Sequence, residues 1–80
     1  MNLVKRHANE SEFDFWEEMP NGGRKYWFDI QGKVGGFARY IKQVDANERT
    51  TSFIQEIYNK VGTLVEIHEK YPIDKGHKSV

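Results

Sequence analysis

Glycine and other turn-forming residues recur along this chain at nearly even intervals, and this spacing constrains the fold more than any other feature. The segments between them are roughly 8–12 residues long, which is typical of antiparallel strands joined by hairpins. The sequence therefore predicts a mainly β protein, a small antiparallel meander of about five strands. The turn signals are Asn21-Gly22-Gly23, Gly32 with Gly35-Gly36, Asp45-Ala46-Asn47 and Asn59-Lys60-Val61-Gly62.

The first hairpin has the clearest turn. Asn21-Gly22 is a preferred pair for a two-residue type I′ turn, because both central residues need a positive φ. This turn predicts that Trp16 lies opposite Trp27, with both tryptophans on one face. The opposite face then carries Phe13, Phe15, Tyr26, Phe28 and Ile30. The same register pairs Phe15 with Phe28, Phe13 with Ile30, Glu18 with Lys25 and Asp14 with Asp29; the last pair opposes two carboxylates and needs a neighbouring base to neutralise it.

Residues 47–61 fit two different structures. As a helix packed on the sheet, which would make the protein α+β, the segment has Asn47 as its N-cap and Gly62 as its terminator. As a strand it has the β-branched Thr50 and Thr51, followed by a turn with glycine in the bulge position. The fragment Tyr58-Asn59-x-x-Gly62-x-Leu64 resembles one hairpin of the Tyr-Asp repeat proteins, which implies the same turn. We favour the strand, with Ile57 opposite Leu64 and Ile54 opposite Ile67.

The remaining segments are simpler to interpret. Residues 37–44 read as a third strand, and residues 63–70 alternate as a last strand until Tyr71-Pro72 ends it. At 80 residues the chain forms a single small domain, and we expect residues 1–9 and 72–80 to be frayed tails. No apolar run is long enough to span a bilayer or to act as a secretory signal, so we expect a cytoplasmic protein with no membrane partner.

Composition narrows the classes of function. The 12 basic and 12 acidic residues balance, so no general field draws the protein to nucleic acid. With no cysteine there is no disulfide framework and no thiol nucleophile. Phosphate-binding loops and nucleophile elbows are also missing, so the sequence favours a protein that is not an enzyme and has no cofactor.

One charged strip could support chemistry. On a strand, Glu66, His68 and Lys70 point to the same side, and a carboxylate, an imidazole and an ammonium together could perform acid–base catalysis. This strip is the basis of an alternative hypothesis, a minimal nucleic-acid-directed hydrolase or binder assisted by nearby basic residues. The simpler interpretation is a solvated strand whose charges discourage aggregation.

A metal site is a weaker alternative. His68, Asp74 and His77 supply two imidazoles and a carboxylate, which are suitable ligands for zinc or another transition metal. Their spacing matches no standard metal motif, and they fall in or next to the segment expected to be frayed. We therefore expect no metal there.

The first hairpin offers the strongest candidate for binding. Acidic residues alternate there with large aromatic residues, and aromatic anchors surrounded by charge are typical of protein interfaces. The sequence therefore suggests a small interaction module that binds another protein, as a partner or inhibitor, or a second copy of itself. The candidate partner-binding residues are Trp16, Trp27, Glu12, Asp14 and Glu18.

Overall fold

Six strands form one antiparallel sheet in which each strand pairs with the next along the chain. A computed structural model describes residues 1–80. The mainly β meander predicted from the turn spacing is confirmed, with one short helix added. The elements are α1 (Leu3–Glu12), β1 (Phe15–Glu18), β2 (Arg24–Gln31), β3 (Phe37–Val44), β4 (Thr50–Tyr58), β5 (Leu64–Tyr71) and β6 (His77–Ser79).

The ambiguous segment is a strand. β4 pairs with both β3 and β5, so the strand interpretation of residues 47–61 is confirmed and the helical alternative is wrong. Asn47 belongs to the preceding turn, where its amide donates to Asp45 Oδ1 at 2.8 Å. An Asp side chain that accepts backbone amides in this way stabilises a turn and competes with helix initiation.

Three hairpins share one loop geometry. In the first, the Gly22 amide donates to the Met19 carbonyl at 3.0 Å, and Gly22 has a φ of 83°. The other two loops are closed by the equivalent hydrogen bond. The Glu48 amide donates to the Asp45 carbonyl, and the Gly62 amide donates to the Asn59 carbonyl. A turn followed by a residue with positive φ is the three-residue hairpin loop with a bulge. The bulge position predicted for Gly62 is therefore confirmed.

This loop corrects the predicted register of the first hairpin. The loop contains Pro20 as well as Asn21-Gly22, and proline suits the second position of such a turn because its φ is fixed. The additional loop residue moves the register by one, so Phe15 lies opposite Trp27 and Trp16 lies opposite Tyr26. Successive side chains alternate between faces, so the two tryptophans lie on opposite faces and not on one.

The register predicted across β4 and β5 is also wrong. Tyr58 pairs with Leu64, and Ile54 pairs with Glu69, because the loop closed between Asn59 and Thr63 and the irregularity between Ile57 and Tyr58 each shift the pairing by one residue. The predicted Ile57–Leu64 and Ile54–Ile67 contacts between directly opposite residues therefore do not form. A bulge inserts one unpaired residue, which changes all later partners on that strand.

Both chain ends have regular structure where the sequence suggested frayed tails. Residues 3–12 form α1, which begins where the Asn2 side chain accepts a hydrogen bond from the Lys5 amide at 3.1 Å. Near the other end, β6 pairs with β5 through residues 77–79. The helix carries no apolar stripe, and Asn9 is its one buried residue, so a search for hydrophobic periodicity misses it. A helix of ten mostly polar residues is too short to cross a bilayer.

The core lies on the face of the sheet that carries α1 and Phe13, which we call the helix face. Phe13, just after α1, packs with Tyr26 and Val44, and all three are buried. Phe28 and Phe53 extend this cluster across the sheet. We call the other side the open face because no element covers it. By alternation it carries Phe15, Trp27, Ile41 and Ile54.

Candidate functional site

β1 is an edge strand that is exposed along its whole length. It pairs with β2 on one side and has no strand on the other. Both aromatic residues of β1 are exposed, as expected of a binding surface. Phe15 is 52% accessible and Trp16 is 40% accessible. Edge strands leave a row of backbone amides and carbonyls unpaired, which makes them templates for another extended chain.

Arg24 fixes the side chains of β1 on the helix face. Its guanidinium contacts Glu18 at 2.6 Å and Glu10 of α1 at 2.7 Å. It also lies over the rings of Trp16 and Tyr26, at 5.5 and 5.6 Å from their centroids. Burial opposes the charge of Arg24, but hydrogen bonds to Glu10 and Glu18 outweigh it and raise the pKa of this guanidinium. The edge strand is therefore held in place through a permanent cation.

On the open face Phe15 is held by stacking. Its ring lies 5.7 Å from that of Trp27, and the two planes are 25° apart. The ammonium of Lys25 lies over the same indole at 5.7 Å. Trp27 is partly buried and supports Phe15, whereas Trp16 is one of the exposed side chains. The structure therefore brings Trp16 and Trp27 to the same hairpin but gives them different surroundings.

The carboxylates of this region fall into two groups. Glu10 and Glu18 bind Arg24, whereas Glu12, Asp14 and Glu17 form no salt bridge. The predicted opposition of Asp14 and Asp29 is wrong. Asp29 accepts two hydrogen bonds from Arg39 of β3, at 2.8 and 3.0 Å, and Asp14 lies before β1 begins. Three carboxylates around the exposed edge therefore form no salt bridge, and Glu17 is the one of them that lies opposite a base, Lys25 of β2.

A buried carboxylate anchors α1 next to this edge. The side chain of Glu48, in the loop between β3 and β4, is fully buried and accepts hydrogen bonds from Arg6 and Asn9 of α1, at 2.8 and 3.0 Å. The Tyr26 hydroxyl donates to the same group at 2.8 Å. Burial alone would raise the pKa of Glu48, but the hydrogen bonds from Arg6, Tyr26 and Asn9 outweigh it and hold the pKa below its usual value.

The charged side chains of β5 lie on one side of the strand as predicted, and each of them contacts another residue. Glu66, His68 and Lys70 lie on the helix face, beyond the area that α1 covers. The Lys70 ammonium lies over the Tyr40 ring at 5.3 Å, and Glu66 faces His77 at 3.3 Å. His68 contacts Asp74 through Nε2, while its Nδ1 is buried without a partner. Nδ1 is therefore closed to a substrate, and Asp74 occupies Nε2.

The candidate metal ligands come together without forming a metal site. His68 and His77 are opposite each other on β5 and β6, with ring centroids 4.5 Å apart, and Asp74 contacts His68. Each imidazole is directed at its own carboxylate, and no three side chains of the types that bind metals are placed to hold one ion. The hydrogen bond from His68 lowers the pKa of Asp74. The cluster ties the last strand to its neighbour.

Sequence reasoning missed two residues that organise the site. Arg24 follows a stretch, residues 8–23, that contains five acidic residues and no lysine or arginine, so its position could have marked it as their common partner. Glu48 gives a weaker signal, since it occupies the loop position that holds glycine in the other two hairpins. Phe15, which the predicted register placed on the face opposite both tryptophans, instead lies beside Trp27 and is the most exposed aromatic residue of β1.

Comparisons with protein-family models, with curated proteins and with solved structures found no match, so the geometry is the basis for the functional argument.

Proposed function

We propose that this protein is a small interaction module that binds another protein molecule through the β1 edge, by which we mean residues 12–18. The observation that carries the proposal is a pair of exposed aromatic side chains held in fixed positions on a strand whose outer edge pairs with no other strand. Covering apolar surface of this kind is favourable by about 25 cal/mol per Å². Aromatic residues with a charged rim are the usual centre of a protein interface.

Preorganisation supports the same conclusion. Arg24 holds Trp16 and Glu18, and Trp27 holds Phe15, so both aromatic anchors have lost much of their side-chain freedom before any partner arrives. Ordering a flexible side chain on binding costs roughly 0.5–1.5 kcal/mol, and this cost is reduced when the side chain is already fixed. Glu12 and Asp14 complete the rim, so the partner-binding set is Phe15, Trp16, Trp27, Glu12, Asp14, Glu17 and Glu18.

A site-specific crosslink tests the proposal. Benzoylphenylalanine in place of Phe15 is expected to crosslink one protein species in extracts of the source cells, whether or not nuclease is added. The same group in place of Val61, which is 77% exposed in the β4–β5 loop, serves as the matched control. Trp16→Ala in the Phe15-labelled protein should reduce the crosslink, because it removes the neighbouring anchor.

Two outcomes would contradict the proposal. Equal crosslinking from positions 15 and 61 would mean that the edge has no preference for a partner. A product that nuclease destroys would mean that the partner is nucleic acid, which would favour the alternative based on the Glu66, His68 and Lys70 strip.

A further inference from the structure

We infer that the partner at the β1 edge is an extended, lysine- or arginine-bearing segment of another protein, which adds to the sheet as a new strand beside β1. This inference rests on the proposed function and names the kind of partner. Two independent features lead to it. The backbone groups on the outer edge of β1 pair with no other strand, and the charge around this edge is negative.

The backbone at this edge is open and already extended. Phe13 ends α1 with φ −106° and ψ 146°, the chain bends at Asp14, and the extended edge is β1 itself, Phe15–Glu18. In an antiparallel pair, alternate residues direct their amide and carbonyl groups toward the partner strand, and the others direct theirs away. The outward groups of β1 are therefore available to an added strand, which is a common mode of peptide recognition.

The negative charge around the β1 edge favours a basic partner. Between His7 and Arg24 the sequence has five carboxylates and no lysine or arginine, and Arg24 satisfies only Glu10 and Glu18. Glu12, Asp14 and Glu17 remain without an ion-pair partner around the exposed aromatic residues. A basic strand beside β1 gains an opposite-charge pair with Glu17, worth roughly 0.2–1 kcal/mol, and Glu12 and Asp14 add negative charge just before the strand.

The same charge disfavours a second copy at this edge. Pairing β1 with β1 of another molecule would place one acidic strand directly against another, and like charges on adjacent strands are destabilising. Charged edge strands are a known means of preventing edge-to-edge association between identical sheets. The acidic edge therefore disfavours pairing with β1 of a second copy and favours pairing with a basic strand.

Peptide probes separate the two features. The first probe is an acetylated and amidated seven-residue peptide of alternating lysine and valine. The second is the same peptide with alternate amides N-methylated along one edge, and the third replaces each lysine with glutamate. Binding is followed by ¹⁵N–¹H NMR titration of the full chain at low salt, which reports which residues contact the peptide.

The lysine peptide is expected to shift the amide signals of residues 13–18 and to bind about tenfold or more tightly than the N-methylated peptide, which loses backbone hydrogen bonds. The glutamate peptide should not bind. Glu17→Gln should weaken binding by about two- to fivefold, as for a partly exposed charge pair. Glu69→Gln, which removes an equal charge on β5 near Lys75, should leave binding unchanged.

Three results would overturn the inference: no shifts in residues 13–18, equal binding of the N-methylated peptide, or dimers formed through β1. If any of these occurs while the crosslink at position 15 persists, the proposed function stands and only the basic-strand partner is wrong. If the crosslink is also lost, the proposed function is wrong as well.

Discussion

Glu48 shows how one residue can combine backbone strain with a structural role. Its φ is 63°, in the left-handed region that non-glycine residues enter at a cost of roughly 1–2 kcal/mol. The equivalent loop positions in the other two hairpins are Gly22 and Gly62, which carry no such cost. The side chain of Glu48 offsets this cost by accepting hydrogen bonds from Arg6, Asn9 and Tyr26.

The first prediction concerns Glu48→Gly. Glycine relieves the backbone strain but leaves the Tyr26 hydroxyl and the Arg6 guanidinium without their partner. Because breaking a buried charged network costs more than the strain relieved, we expect a net loss of about 1–3 kcal/mol in the free energy of unfolding. Urea denaturation followed by circular dichroism measures this change. An increase in stability would mean that the backbone strain outweighs the side-chain contacts.

At the scale of elements, polar contacts hold α1 on the sheet. Arg6 and Asn9 bind Glu48, Glu10 binds Arg24, and the Lys42 ammonium donates to Asn9 Oδ1 at 2.8 Å. Apolar residues near the start of the helix, such as Val4, are exposed. The helix therefore depends on charge and hydrogen bonding, and the apolar core begins only at Phe13.

The second prediction follows from the lowered pKa of Glu48. A carboxyl group whose pKa is lower in the folded than in the unfolded chain binds protons more readily when the chain is unfolded. Its ionised form therefore stabilises the fold, and this contribution is complete at pH values above the pKa of the unfolded chain, near 4.5. This contribution is lost as the pH falls from about 4.5 through the lower folded-state pKa. The buried Tyr26 hydroxyl has a raised pKa, because of burial and its bond to Glu48, and remains a donor throughout this range.

Urea unfolding at pH 7 and at pH 3 should show that the wild-type protein loses more stability on acidification than Glu48→Gln. The pKa values of Asp45 and Asp74 are also lowered, and both chains retain these groups, so the difference between the chains isolates Glu48. Arg6, Asn9 and Tyr26 are likewise present in both chains. Identical acid losses in the two chains would contradict a stabilising role for the Glu48 carboxylate.

At the scale of the whole molecule, the fold is an elongated open sheet. Its Cα radius of gyration is 13.5 Å, whereas a compact domain of this length has a value of about 11.6 Å. Its accessible surface is 5440 Å², against about 5,000 Å² for a compact monomer of this mass. Buried side chains are concentrated where α1 meets β2 and β3, so stability should be uneven along the sheet.

The third prediction is a gradient of amide hydrogen exchange across the strands. β3 contains the buried Ile41 and Val44 and has a strand on each side, so its amides should exchange slowest. β1 and β6 are fully exposed edges and should exchange fastest. Hydrogen exchange followed by NMR measures this order. Protection of the β1 edge equal to that of β3 would contradict both the gradient and an edge that is open to a partner.

The sequence by itself determined where the chain turns and which segments form the first five strands. Turn residues act locally, because glycine and Asn–Gly pairs set their own φ values and proline fixes its own, so the strands between them could be predicted. β3 matches residues 37–44, and the β-branched threonines with the Gly62 turn favoured the strand over the helix for β4. The acidic and aromatic character of the first hairpin was also visible in the sequence.

Only the tertiary structure decided the register, the faces and the helix. One additional residue in the first loop placed Trp16 and Trp27 on opposite faces, and turn signals alone leave that single residue open. The contacts that hold α1 join residues far apart in the chain, such as Arg6 to Glu48, and no local pattern encodes them. Hydrophobic periodicity reports apolar packing, so a helix held by buried charge and hydrogen bonds becomes visible only when its partners are brought together.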